Sequence, residues 1–174
     1  MAILIVFGTV EGHTEKIARF IKRLVQNSGK HAHLLDTSSQ LETVKWSDFD
    51  TVILAASVHE RKHPKEFEVF LTTCQKELSK RRVLMISVSL KAAFPEGLEE
   101  AQDYLEELEM RTALEPESEL LVAGAIKPEG YDYYETQILR HVVLAGRDHD
   151  PSAHEHEFTD WDALKARVLD FIES

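Results

Sequence analysis

Apolar runs of strand length alternate with stretches of helical spacing along the chain. Ala2–Phe7 is a continuous apolar run, short for a buried helix and the right length for a strand covered on both faces. A brief turn leads from it into a segment where Ile17, Phe20, Ile21, Leu24 and Val25 recur at helical intervals. That spacing predicts a helix over about His13–Gln26, closed by Gly29. His31–Leu35 is a weaker strand, and a helical turn is expected at Leu41–Lys45. Asp50–Ala56 reads as a buried strand, after which Pro64 opens a helix where its missing N–H costs nothing. Phe67, Phe70, Leu71, Cys74 and Leu78 fall on one face of that helix. Arg82–Leu90 is another buried strand, and Leu98, Ala101, Leu105 and Leu108 mark a helix whose other face is acidic. Leu120–Ile126 is a fifth strand. Thr159-Asp-Trp-Asp162 has the form of a capping box, with Asp in place of Glu, before a final helix carrying Trp161, Leu164, Val168, Phe171 and Ile172.

Five near-continuous apolar strands separated by helices imply an α/β fold, a doubly wound parallel sheet covered on both faces. No internal repeat, linker or low-complexity tract interrupts it, so residues 1–174 read as a single domain. Lys127–Phe158 breaks the rhythm, being far longer than a usual connection. Within it Tyr131, Tyr134, Ile138, Val142 and Ala145 are spaced as a helix, and Leu139, Val143 and Leu144 widen the apolar face. Packing onto the domain is the expected role of that face, ahead of substrate docking or a contact between copies in a homo-oligomer.

The chain has 174 residues, 43% of them hydrophobic and 29% charged, enough to build a core and too apolar for disorder. Its formal net charge of −11 argues against nucleic acid and disfavours an anionic membrane surface. A single cysteine, Cys74, excludes an internal disulfide framework and a cysteine-ligated metal cluster. No signal peptide is recognised, and no apolar run approaches the roughly 18 residues needed to cross a bilayer. A cytoplasmic location follows, with at most peripheral contact at the inner face of the membrane. His149, His154 and His156 lie in an acidic stretch without further convincing ligands, so no metal site is expected.

In doubly wound sheets, ligands bind beyond the C-terminal strand ends near the topological switch point. Three loops meet that description: Gly8–Thr14, Ser57–His63 and Ser87–Phe94. The first runs from an apolar strand through Thr9 and Gly12 straight into a helix, which gathers backbone N–H groups where a phosphate can sit without a basic side chain. It is neither Gly-x-Gly-x-x-Gly nor a lysine-containing P-loop, so dinucleotide and nucleoside-triphosphate readings lose support. Lys127-Pro128 after the fifth strand suits a phosphorylated receiver domain, but Ser57 stands where a receiver needs an aspartate.

Thr9-Val-Glu-Gly-His-Thr14 resembles the flavodoxin phosphate loop, Ser/Thr-x-Thr-Gly-x-Thr, except that Glu11 replaces a threonine. Ala55-Ala-Ser-Val-His59 followed by Phe67-x-x-Phe70, Ser87-Val-Ser-Leu90, Val122-Ala-Gly-Ala125 and Phe158-Thr-Asp-Trp161 look like the matching loops of bacterial menaquinone-dependent protoporphyrinogen oxidases. That flavodoxin-like family also accepts an acid at the Glu11 position. The resemblance runs in order along nearly the whole chain. It implies a flavodoxin-like sheet of order 2-1-3-4-5, with residues 127–158 inserted before the last helix. It further implies FMN as cofactor, its phosphate held by Thr9, Val10, Glu11, Gly12, His13 and Thr14. Ser57, Val58 and His59 would lie along the isoalloxazine, with Ser87, Val88, Ser89 and Leu90 on its other side. His59 and Phe94 are the only nearby candidates for stacking on the ring. The implied reaction passes electrons from protoporphyrinogen IX through FMN to a quinone in heme biosynthesis, with no general acid or base nominated. Arg61, Lys62, His63 and Lys91 would form a local counter-patch for the anionic propionates. Two alternatives stand beside it: a flavodoxin-type electron carrier with a redox protein partner, and a quinone reductase.

Overall fold

Runs such as Ile3-Leu-Ile-Val-Phe7 and Thr51-Val-Ile-Leu-Ala55 are rich in β-branched residues and have no polar face, so each becomes a strand buried on both sides. The computed structural model describes residues 2–39, 43–126 and 156–174. Along the chain these form β1 (Ala2–Gly8), α1 (His13–Asn27), β2 (Ala32–Asp36), β3 (Phe49–Ser57), α2 (Lys65–Thr73), α3 (Gln75–Leu78) and β4 (Arg82–Ser89). They continue with α4 (Leu98–Thr112), β5 (Ser118–Ala123), β6 (Ala125–Ile126), β7 (His156–Glu157) and α5 (Trp161–Glu173). The first five strands pair in parallel in the order β2-β1-β3-β4-β5. This is the order implied by the resemblance, and the chain reverses direction across the sheet between β1 and β3.

Alternation along each strand divides the core into two layers. Ile3, Ile5 and Phe7 of β1 pack with Ile17 and Ile21 of α1 and Leu164 and Val168 of α5. Leu4 and Val6 face the other way, against Phe67, Phe70 and Leu71 of α2 and Leu105 and Leu108 of α4. Gly8 marks where the second layer closes on the end of β1: a Cβ there would stand 2.9 Å from Phe67 Cβ. Gly29 adopts the left-handed conformation that closes α1, with φ of 81° and Lys30 N–H donating to Val25 O at 3.2 Å.

Several local expectations give way to tertiary structure. Pro64 caps α2 rather than occupying its first turn, with extended backbone at ψ 138°. The helix after it breaks at Cys74, which is half-buried against the second core layer at the junction of α2 and α3. Burial raises that thiol's pKa, with Glu77 adding to the effect, so it is a packing group. Leu98 is the first residue of α4 and is 44% exposed; Tyr104 joins the buried face instead. The fifth strand divides at Gly124. Ser118–Ala123 stays in the sheet, while Ala125–Ile126 turns out to pair with His156–Glu157 in an antiparallel ribbon. Asp160, not Thr159, caps α5, its carboxylate accepting from Ala163 N–H at 3.0 Å. Residues 43–45 are not helical, and the neighbouring turn is a short 3₁₀ segment at Trp46–Asp48. The helix expected within 127–158 lies outside the described residues, as do His149 and His154.

Candidate functional site

The C-terminal ends of β1, β3, β4 and β5 open together into a cleft, the place where doubly wound sheets take their ligands. Its first wall is the turn between β1 and α1. Thr9 accepts a 2.9 Å bond from Gly12 N–H through Oγ1, which folds the turn, and Gly12 takes a φ of 91°. A side chain at Gly12 would meet no neighbour within 4 Å, so backbone angle rather than space selects glycine there. No side chain caps the helix that begins at His13. The first-turn amides and the positive end of the helix dipole are thus left for an anion.

His13 reaches across the cleft end of the sheet to the segment that leads into α5. Its Nε2 lies 2.7 Å from Thr159 Oγ1, and that hydroxyl donates to Ala123 O at 2.7 Å. With the threonine proton committed to the carbonyl, the imidazole must donate through Nε2–H. One turn further, Lys16 Nζ stands 2.6 Å from Glu157 Oε2, and the Trp161 indole donates to the same carboxylate. The return strand β7 and the start of α5 are therefore fastened to the helix that forms the cradle.

The second and third walls come from β3 and β4. Ser57, Val58 and His59 line one side and Val88, Ser89 and Leu90 the other, with Val58 N–H donating to Val88 O at 2.8 Å. Gly124 and Ala125 complete the lining where β5 hands over to β6. Two hydroxyls in this lining, Thr14 Oγ1 and Ser57 Oγ, are buried without a hydrogen-bond partner. Buried polar groups are rarely left so, and both sit where a polar ligand would complete them. An uncapped helix start, an orphan hydroxyl in its first turn and aliphatic walls of Val58, Val88 and Leu90 fit a phosphate-bearing planar aromatic ligand.

Of the residues the resemblance assigns to FMN, all but Gly12 and Ser87 line this cleft. Gly12 belongs to the cradle through its backbone. Ser87 points to the opposite face of β4, fully buried, with His63 Nε2 2.9 Å from its Oγ. His63 is therefore no part of a cationic surface. Burial, reinforced by the nearby Arg111 charge, lowers its pKa to about 4, so it is neutral near pH 7. Phe94 is also withdrawn, buried edge-on against Phe158 with ring centres 5.6 Å apart. Glu11 is exposed at the rim, and Val10 beside it is 56% exposed. Gly124 and Ala125, part of the Val122-Ala-Gly-Ala125 motif, were not assigned to the cofactor, although they complete the lining. Among the described residues no group of His, Cys, Asp and Glu could hold a metal, and no helix is long and apolar enough to cross a membrane.

A doubly wound sheet of order 2-1-3-4-5 with its ligand cleft at the strand ends beside the β1 turn defines the flavodoxin-like class. A flavodoxin domain model matches residues 4–152, and the chain belongs to that family. It is 23% identical over 165 residues to the protoporphyrinogen IX dehydrogenase [quinone] of Escherichia coli strain K12, covering 94% of this chain and 91% of that protein. Among solved structures, oxidised flavodoxin 1 from Bacillus cereus superposes with a TM-score of 0.59 at 18% identity, over 99% of this chain and 98% of that one. A Fusobacterium nucleatum flavodoxin mutant bound to flavin mononucleotide gives 0.52 at 15% identity, over 99% and 94% of the two chains.

Proposed function

We propose that the protein is an FMN-dependent oxidoreductase that takes electrons from protoporphyrinogen IX and passes them to a quinone in heme biosynthesis. The carrying observation is a single cleft that joins an uncapped helix start and the orphan Thr14 hydroxyl to aliphatic walls from β3 and β4. It occurs in a chain similar along 94% of its length to a quinone-linked protoporphyrinogen IX dehydrogenase. Bound FMN supplies the electron and hydride chemistry. The first-turn amides of α1, with Thr9 and Thr14, hold its phosphate. Ser57, Val58 and His59 lie along one side of the ring system, and Val88, Ser89 and Leu90 along the other. Ser87 has no direct role. The aliphatic residues would exclude water from the bound ring, and the Ser57 hydroxyl would find in the ligand the partner it lacks. With a lipid-soluble quinone as acceptor, peripheral contact with a membrane is enough for the two to meet.

The net charge of −11 favours a second reading, an electron carrier that docks on basic redox partners. Purified protein should be yellow and release FMN on denaturation. Anaerobic mixing with protoporphyrinogen and menaquinone should then produce porphyrin fluorescence well above the uncatalysed rate. A yellow protein that leaves that rate unchanged removes the oxidase reading and favours the carrier.

A further inference from the structure

Two loops leave the sheet beside the cleft, and their cations meet on one carboxylate. Lys91 follows Leu90 at the end of β4, and Arg61 stands in the turn after His59 at the end of β3. Lys91 Nζ lies 2.8 Å from Glu100 Oε2, and Arg61 Nη1 lies 3.8 Å from Glu100 Oε1. The Tyr104 hydroxyl donates to the same carboxylate, and the Arg61 guanidinium stands 5.8 Å from the Tyr104 ring centre. These bonds, Lys91's first, hold the Glu100 carboxyl below the usual carboxylate range. Arg61 and Lys91 thus share one carboxylate beside the ends of β3 and β4, in a strongly acidic protein.

The backbone fixes the points from which both side chains leave. A Cβ on Gly97 would stand 2.3 Å from Lys91 O, so the chain folds back tightly over the lysine. Ala92 N–H donates to Ser89 Oγ at 3.2 Å and pins the same segment. Glu60 and Arg61 have φ of 48° and 69°, in a turn closed by His59 N–H donating to Lys62 O at 2.8 Å. Such turns are ordinarily made with Asn-Gly, and each non-glycine residue held there costs about 1–2 kcal/mol. Strain of this kind gathers at working sites. The two cations also differ in exposure. The Lys91 side chain is 20% exposed and the Arg61 side chain 74%, so the arginine's long ion pair is wet, weak and easily exchanged.

We propose that Arg61 and Lys91 form a carboxylate-binding subsite at the cleft mouth that seats an acidic side chain of the electron donor, with Glu100 as the placeholder anion. The proposal rests on the porphyrinogen reading above and adds the part of that substrate which is recognised. A porphyrinogen carries two propionates on an otherwise apolar macrocycle, and a net charge of −11 repels them at long range. The arginine fork matches a carboxylate in two parallel bonds, and the lysine contributes a point charge. Glu100 competes for the same donors.

The test is a fluorescence titration of the FMN-loaded protein with protoporphyrin IX and, separately, with its dimethyl ester, alongside the oxidation assay. Arg61→Gln and Lys91→Met should each weaken diacid binding about tenfold and leave the ester unchanged. Arg61→Lys should recover part of the loss, and Glu100→Gln should tighten diacid binding severalfold. Equal binding of diacid and ester, with no variant changing either, overturns the subsite but leaves the porphyrinogen reading standing. A variant that weakens the ester as much as the diacid also overturns it, because the loss is then structural. Failure to bind either compound, with no oxidation of porphyrinogen, removes both readings.

Discussion

Thr14→Val should move two properties in opposite directions. The Thr14 side chain is 0% exposed and its hydroxyl has no partner, so the ligand-free protein carries the desolvation cost of that group. Valine has the same shape, leaves no cavity and removes the hydroxyl. The ligand-free protein should therefore gain about 1–2 kcal/mol, a rise in Tm of roughly 2–8 °C at this chain length. On the proposed function, with FMN bound, the same hydroxyl would donate to a phosphate oxygen. Losing a hydrogen bond to a charged group, about 1.5–3 kcal/mol, should weaken FMN binding roughly 10- to 150-fold. Riboflavin has the ring but no phosphate, so its affinity should be the same for parent and variant. Thermal melts of stripped protein and fluorescence titrations with both flavins read all three quantities. A variant that melts lower than the parent without ligand refutes the orphan-hydroxyl argument. Equal losses for FMN and riboflavin refute the assignment of Thr14 to the phosphate.

Three further outcomes follow from features away from the cradle. Gly97→Ala forces the Lys91 backbone aside and should lower stability by about 1–3 kcal/mol, read as a falling Tm. Ala113→Gly should do the reverse: Ala113 ends α4 at φ 56°, and glycine there should add about 0.5–1 kcal/mol in chemical denaturation. His63 has a folded pKa lowered from 6.5 to about 4, so between those values the unfolded chain binds more protons. Its share of stability is complete above pH 6.5 and lost as pH falls towards 4. His63→Gln should flatten that part of the stability-against-pH curve, and an unchanged slope would show that other groups produce it.

The strands and the cradle were legible in sequence because both depend on near neighbours. A run such as Ile3–Phe7 can only be a strand buried on two faces, and Thr9 and Gly12 make their turn within four residues. What stayed hidden depends on partners distant in the chain. Ser87 to Ser89 are adjacent in sequence, yet strand alternation sends Ser87 to His63 while Val88 faces the cleft. Ser89 reaches the cleft only because the strand ends there and the chain curls into a 3₁₀ turn. Thr159 resembled a helix cap, but the carbonyl of Ala123 and the ring of His13 claim its hydroxyl, and Asp160 takes over the capping. The counter-patch was half visible. Arg61 and Lys91 do stand together, whereas His63 was lost to the core because nothing local reveals how deeply it is buried.

The ribbon of β6 and β7 is only two residues wide on each side, but it pairs Ile126 with His156. The chain thus passes out at Ile126 and re-enters at His156, two neighbouring points of one clasp. The clasp closes on the body through Phe158 N–H to Gly124 O at 3.0 Å and through the Lys16–Glu157 pair. Because closure entropy grows only slowly with loop length, such a junction tolerates wide changes in what it carries. A lineage could lengthen, shorten or exchange the intervening residues while the sheet and cradle stayed as they are. For an engineer it is the natural place to splice: a four-residue turn from Ile126 to His156 would keep the flavin-type body and ask what those residues add.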